Sequence, residues 1–244
     1  MGCQISVAGM NDNEKRIIFR HTPKSAGTYI WRCLQSIGNY MSLGEVSTYK
    51  QLCPEAVCDH FGITYGGQET GVVESNCDET IPRVMRAHYS LNHLNKHSDD
   101  NIVVISNIRH PVPTFYSEFY HHRGGSAGLV WAKWLGNDID NYMDGNAIAK
   151  GTRPSNLEQW AQHYVDILTN LIDEVHIIIS QDNIPHGLEQ LNNMGFNIKP
   201  IAHHINTCPE KFTKKYNYRL DDVTRALKPA IELYQQSKEK YFNH

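Results

Sequence analysis

Short runs of apolar residues alternate with longer amphipathic stretches along most of the chain. Four short runs of apolar character predict buried strands, at residues 16–20, 83–87, 102–107 and 175–180. Between and after them, apolar residues recur at helical spacing, which predicts helices over residues 28–37, 111–123, 156–171, 185–194 and 221–242. This alternation predicts an α/β fold with a central parallel β-sheet flanked by helices on both faces.

Two stretches have no clear hydrophobic period. Residues 40–80 carry scattered Cys, Asp and Glu together with Gly66-Gly67, and we interpret them as short helices and a mobile loop excursion. Residues 124–155 match no motif. We expect residues 1–244 to form a single domain in which residues 1–14 are a flexible N-terminus. The two unmatched segments are then insertions that shape a substrate site.

Composition is that of an ordinary globular protein, since 40% of the 244 residues are apolar and 20% are charged. The chain has 23 Lys and Arg residues and 26 Asp and Glu residues, and this slight excess of negative charge disfavours nucleic acid as a partner. An anionic ligand would therefore need a local pocket. No apolar run is long enough to cross a bilayer, so we expect no membrane span and a cytoplasmic location. Gly2 and Cys3 fit the loose pattern for N-terminal acylation, which stays open as an alternative.

Six cysteines in a chain of this length, without a secretory signal, predict reduced thiols and no structural disulfide. Several Cys and His residues are potential zinc ligands: Cys53, Cys58, His60 and Cys77, and separately His93 with His97. The spacing of the first group matches no usual zinc finger or ribbon, and the histidine pair lacks a third ligand. We therefore expect no metal site.

The segment Pro23-Lys24-Ser25-Ala26-Gly27-Thr28 joins the first predicted strand to the first predicted helix. Backbone amides at a helix N-terminus, together with one lysine, form a binding site for a phosphate group. A Walker loop ends in Gly-Lys-Ser/Thr, a sequence that this chain lacks. The strand, loop and helix therefore predict a P-loop-like domain without a Walker-type nucleotide site.

A second phosphate-binding pattern lies at the end of the strand in Ile105-Ser106-Asn107-Ile108-Arg109-His110-Pro111. Arg109 follows the strand, and Ser117 lies about two turns along the next helix. A guanidinium offers phosphate a fork of charged hydrogen bonds, and a hydroxyl on the facing helix adds another.

Together the two patterns resemble the sulfotransferases, in their carbohydrate-modifying, 2-O-sulfotransferase-like branch. The lysine-first loop resembles the family's 5′-phosphosulfate loop, and Arg109 with Ser117 resembles its 3′-phosphate element. The resemblance runs in order over residues 16–123, then more faintly through residues 175–180 and 204–207. Two departures are His110, where the family usually has Asp, and Ser25, where its loop often has Thr.

The resemblance implies an enzyme that uses 3′-phosphoadenosine 5′-phosphosulfate (PAPS) as its donor and requires no metal. It would transfer the sulfuryl group in line to a hydroxyl of a glycan or small-molecule acceptor, and release adenosine 3′,5′-bisphosphate (PAP). The loop, the 3′-phosphate element and a basic loop that closes over the nucleotide would bind the donor through these residues: Lys24, Ser25, Ala26, Gly27, Thr28, Tyr29, Arg109, Ser117, Lys214 and Lys215.

Sulfuryl transfer also needs a base for the acceptor proton and positive charge near the leaving oxygen. Lys24 suits the second role. His88 follows the strand at residues 83–87 and so lies at the carboxyl end of the sheet, where a neutral imidazole can accept a proton. In the resembling branch a histidine base occupies a corresponding place. Other branches use glutamate, so Glu118 and Glu74 remain alternatives.

Two other functions stay open. One is a non-catalytic sulfotransferase-like module that binds PAP or a glycan without turnover. The other is a nucleotide or small-molecule kinase, which would require ATP and Mg²⁺ and is disfavoured because the Walker lysine is missing. For an enzyme, the acceptor classes are a soluble glycan, a glycosylated metabolite and a small hydroxylated natural product.

Overall fold

The protein is described here from a computed structural model of the chain. The structure describes residues 15–22, 25–45, 57, 60–61, 70–77, 81–88, 101–124, 157–202 and 220–242. These residues form an α/β arrangement around one six-stranded sheet that is flanked by helices.

The sheet is mixed, with an antiparallel strand at one edge. In chain order its strands are β1 (Arg16–His21), β2 (Tyr40–Glu45), β3 (Thr70–Ser75), β4 (Val84–His88), β5 (Ile102–Ile108) and β6 (Ile177–Ser180). Their order across the sheet is β3-β2-β4-β1-β5-β6. Neighbouring strands pair in parallel except β2 and β3, so the predicted all-parallel sheet is corrected at that edge. An edge strand pairs on one side only and can therefore run antiparallel beside a parallel ladder.

The helices agree with the predicted periodicity. They are α1 (Gly27–Leu34), which continues as a 3₁₀ turn (Gln35–Ile37), α2 (Pro111–Gly124), α3 (Leu157–Glu174), α4 (Ile184–Asn193), α5 (Leu220–Ala226) and α6 (Lys228–Phe242). The single helix predicted over residues 221–242 is divided into α5 and α6. Pro229, near the start of α6, explains the break, because proline lacks an amide proton and its ring crowds the carbonyl one turn earlier.

Strands β2 and β3 lie within residues 40–80, so the interpretation of that stretch as short helices and a loop missed two strands, although Val57 and His60 within it are helical. Their sequences, YMSLGE and TGVVES, each contain a glycine and several polar residues. They therefore lack the continuous apolar run that marks a buried parallel strand. Hydrogen bonding to neighbouring strands stabilises β2 and β3 instead, since β2 pairs with both β3 and β4.

Helices cover both faces of the sheet and create two apolar cores. On one face, α1 and α4 pack against Ile17, Phe19 and Ile105. On the other face, α2, α3, α5 and α6 pack against a layer that includes Ile18 and Val104. Every residue of β5 is buried, as expected for a strand covered on both sides. The prediction of a sheet flanked by helices is confirmed.

The structure bears on membrane spans, cysteines and metal ligands only where it describes the residues concerned. Among the described helices, none has the length and apolar character needed to cross a membrane. Cys33 and Cys77 are free thiols, and the described residues contain no cluster of three metal-ligating side chains. Of the potential zinc ligands, only His60 and Cys77 are described. The predictions for residues 1–14 and 125–155 lie outside the described residues.

Candidate phosphate-binding site

The connection between β1 and α1 brings a helix N-terminus to the carboxyl end of the sheet. The first hydrogen bond of α1 runs from the Ile30 amide to the Ala26 carbonyl, at 3.1 Å. The amides of Gly27 and Thr28 precede this bond, so helix geometry provides them with no acceptor inside α1. Amides in this position, together with the helix dipole, favour an anion.

Two backbone features shape this helix start. Ala26, the N-cap residue, has φ 63° and ψ 18°, in the left-handed region that is uncommon for residues other than glycine. Gly27 lies directly against the imidazole of His21, the last residue of β1. A Cβ on Gly27 would lie 1.8 Å from Cδ2 and 2.1 Å from Nε2 of that ring. Any other residue at the first helical position would require the His21 ring to move.

The loop before α1 is held from β5 by the side chain of Asn107. Its Oδ1 accepts a hydrogen bond from the Thr22 amide at 2.9 Å. Its Nδ2 donates to the carbonyl of Thr22 at 3.2 Å and to the carbonyl of Ser25 at 2.6 Å. Asn107 is fully buried, so these bonds are shielded from water. The loop is thus attached to β5 at both of its ends.

A neighbouring contact joins the same two strands. The hydroxyl of Ser106 donates to the Arg20 carbonyl at 2.7 Å and lies 3.2 Å from the Thr22 hydroxyl. Ser106 is the parallel partner of Arg20 in the sheet. It therefore fixes the end of β1, whereas Asn107 reaches beyond the strand to the loop.

Arg109 directly follows β5, two positions after Asn107. Its backbone carbonyl accepts a hydrogen bond from the Tyr164 hydroxyl at 3.0 Å, which links the strand end to α3. Ser117 is half-buried within α2. Through Asn107, the segment that carries Arg109 is connected to the loop that begins α1.

His110 caps the N-terminus of α2, because its Nδ1 accepts a hydrogen bond from the Val112 amide at 3.3 Å. Burial lowers the pKa of His110, and the Asp182 carboxylate partly opposes that shift. The positive charges of Lys238 and Arg109 lower the same pKa further. A neutral imidazole is the form that can accept the Val112 hydrogen bond.

The other predicted donor-binding residues are placed as follows. Ser25 is fully buried, while Thr28 and Tyr29 are half-buried in the first turn of α1. The Tyr29 hydroxyl donates to the carbonyl of Ile201 at 3.3 Å and so ties α1 to the chain after α4. The three predicted lysines lie outside the described residues: Lys24, Lys214 and Lys215.

The comparisons with known proteins were made for the sequence as a whole. No protein-family model matches it. No curated protein matches it with statistical significance. The function is therefore inferred from the residues and their geometry.

The predicted base His88 ends β4, and the sheet pairs it in parallel with His21 at the end of β1. Both backbone positions therefore lie at the carboxyl edge of the sheet, beside the loop that leads into α1. The side chains of His88 and of Glu118 in α2 are outside the described part of the chain.

Glu74, the other alternative base, is engaged by its neighbours. Its carboxylate accepts hydrogen bonds from Trp31 Nε1 at 3.2 Å and from the Arg32 guanidinium at 3.1 Å. Burial alone would raise the pKa of Glu74, but hydrogen bonds from Trp31 and Gln35 and the charge of Arg32 hold it below its ordinary value. A carboxylate with a lowered pKa is a weaker base. The structure thus favours a structural role for Glu74.

Two residues of the site were not singled out from the sequence, namely His21 and Asn107. A usable signal existed for Asn107, because it interrupts an apolar run that predicts a fully buried strand. A buried amide side chain must find hydrogen-bond partners, and such partners at a strand's carboxyl end are often loop backbone groups. For His21 the sequence carries no comparable signal, since its contact with Gly27 depends on the path of the loop.

Proposed function

We propose that the protein is a PAPS-dependent sulfotransferase that modifies a hydroxyl of a glycan or small molecule. The observation that carries this proposal is the attachment, through Asn107, of the α1 loop to the strand that leads into Arg109. PAPS carries anionic groups at its 5′ and 3′ positions and needs two anion sites in a fixed relation. The carboxyl ends of β1 and β5 lie side by side because the two strands pair in parallel, and this adjacency supports the proposal.

In this proposal, donor binding is divided between the two strand ends. The amides at the start of α1 bind the 5′-phosphosulfate with the help of Lys24, and Arg109 and Ser117 bind the 3′-phosphate. Lys214 and Lys215 belong to a loop that closes over the nucleotide. The resemblance in sequence supports this division.

The reaction is an in-line transfer between two oxygens. The acceptor oxygen forms a bond to sulfur while the bond between sulfur and the bridging phosphate oxygen breaks. His88 takes the acceptor proton, Lys24 stabilises the negative charge that develops on the bridging oxygen, and PAP leaves. The donor is already activated, and Lys24 with the amides at the start of α1 supplies the positive charge that the phosphosulfate needs, so the proposal involves no metal ion.

A thermal-shift titration tests the donor assignment, because a ligand of the native state raises Tm. PAP should raise Tm more than 5′-AMP does, and Arg109→Ala should remove most of that difference. Arg225→Ala is the matched control, since Arg225 is an exposed arginine on α5 and should leave the PAP shift intact. A larger shift with ATP and Mg²⁺ would favour a kinase instead.

Turnover separates an enzyme from a binding module. With PAPS and a panel of glycans and small hydroxylated compounds, we expect PAP release that depends on the acceptor. His88→Ala and Lys24→Ala should lower kcat far more than donor affinity, because both residues act mainly in the transition state. PAP binding with no acceptor-dependent release would contradict catalysis and favour the module.

A further inference from the structure

Asn107 makes three hydrogen bonds to backbone groups that flank the loop leading into α1. They involve the amide and carbonyl of Thr22 and the carbonyl of Ser25, at 2.6 to 3.2 Å. Ala26, which follows directly, has the left-handed backbone conformation that starts the helix. The amide side chain therefore controls where α1 begins relative to the end of β1.

The same side chain relates this loop to Arg109. Asn107 is part of β5, and Arg109 lies two positions further along the chain, directly after the end of that strand. The end of β5 and the next residue separate the two positions by a short length of chain, so a group held by Asn107 has a defined position relative to the Arg109 backbone. No hydrogen bond of Ser106 reaches Ser25 in the described residues, although Ser106 also joins β1 to β5.

We propose that Asn107 is a positioning residue, which holds the α1 loop so that its amides meet the 5′-phosphate while Arg109 meets the 3′-phosphate of one nucleotide. The inference rests on the proposed function and deepens it. Replacement of Asn107 leaves the backbone groups of Thr22 and Ser25 without their buried partner. The loop then shifts relative to β5, and the 5′-phosphate loses its aligned amides while the 3′ subsite is kept.

Two affinity ratios separate positioning from a general loss of stability. The ratio of the Kd of adenosine 3′-monophosphate to that of PAP measures what the 5′-phosphate contributes to binding. The ratio of the Kd of 5′-AMP to that of PAP measures what the 3′-phosphate contributes. Both ratios are taken on one variant by calorimetry, at a temperature at which circular dichroism shows that variant to be folded. A partly unfolded fraction lowers all affinities alike and cancels in each ratio.

In Asn107→Ala, the ratio for the 5′-phosphate should fall at least about tenfold, while the ratio for the 3′-phosphate should stay unchanged. Arg109→Ala should give the opposite pattern. Ser106→Ala is the matched control: it removes buried hydrogen bonds from the same strand, so it should lower Tm and leave both ratios unchanged. Asn107→Ser is the milder replacement if Asn107→Ala does not fold.

The outcomes that would overturn the inference can be told apart. If both ratios fall equally in the Asn107 variants, or neither falls, Asn107 has only a structural role and the proposed function still stands. If the unaltered protein binds PAP no better than it binds either monophosphate, the proposed function itself is wrong, and the positioning role is wrong with it.

Discussion

The imidazole of His21 occupies the space in which a side chain at Gly27 would lie, with Cδ2 1.8 Å from the ideal Cβ position. The last residue of β1 thereby sets how closely the chain can turn into α1. The contact places an aromatic ring with two nitrogens against the helix start that we propose binds phosphate.

Gly27→Ala should therefore force His21 out of its place. Such overpacking typically costs about 1 to 3 kcal/mol, so we expect a lower free energy of unfolding in urea and weaker PAP binding. Gly38→Ala is the control, since Gly38 has φ +75° but no atom within 4 Å of its Cβ position. That variant should lose stability through backbone strain and keep its PAP affinity. Equal PAP affinity in both variants would contradict this role for the contact.

Ala26→Gly should stabilise the protein. A non-glycine residue at φ 63° carries backbone strain that glycine relieves, although glycine also adds entropy to the unfolded chain. We expect a net gain of about 0.5 to 1 kcal/mol in the free energy of unfolding, measured by urea denaturation. Asn197→Gly should gain less, because Asn197 has a similar φ of 54° and asparagine tolerates that region better. A lower free energy of unfolding in Ala26→Gly would show that the backbone of Ala26 carries no such strain.

The charge of the buried Arg20 on β1 is paired with the carboxylate of Glu174 at the end of α3. The guanidinium of Arg20 donates to the Glu174 carboxylate, and Arg20 is buried whereas Glu174 is partly exposed. Glu174→Ala leaves a buried cation without this partner, which should cost about 1 to 3 kcal/mol of stability. Removal of the exposed carboxylate in Glu189→Ala should change the urea midpoint little. Equal effects of the two variants would mean that the ion pair contributes nothing.

His110 should make stability depend on pH. Its pKa in the folded protein is below the ordinary value of 6.5, chiefly because of burial. As the pH falls through 6.5, the unfolded chain binds a proton more readily than the folded protein, so the contribution of His110 to stability is lost on acidification. Urea unfolding at about pH 7.5 and about pH 5.5 measures the loss.

His110→Asn provides the comparison for this effect, because asparagine can cap a helix and does not titrate between these pH values. The variant should lose less stability than the unaltered protein on the same change of pH. An identical loss in both proteins would show that other groups cause the pH dependence.

The sequence predicted those elements whose side chains carry a strong period of their own. The apolar run from Ile102 to Ile105 in β5 and the helical spacing of Ile30, Trp31 and Leu34 in α1 each reflect burial in the core of the sheet and its helices. Strand β2 could not be predicted in this way, because its own residues carry no clear period. It forms through hydrogen bonding to its neighbours β3 and β4.

The sequence singled out the loop and Arg109 as candidate phosphate-binding groups, but it did not predict the hydrogen bonds that connect them. Asn107 meets the Thr22 amide across 85 positions of the sequence. Which backbone groups it reaches depends on the parallel alignment of β1 with β5, in which Arg20 lies beside Ser106. No local pattern encodes that alignment, so the sequence predicted two phosphate-binding patterns but not the residue that connects them.

The central place of β1 has a consequence for folding kinetics. Its partners β4 and β5 are synthesised much later in the chain, and the Asn107 bond to Ser25 closes a separation of 82 positions. Contacts of such long range slow folding, because the entropy of loop closure is lost before the contacts form. Thr22 and Ser25 therefore gain their hydrogen bonds to Asn107 only when β5 docks, and a growing chain that lacks β5 cannot hold the start of α1 in this place.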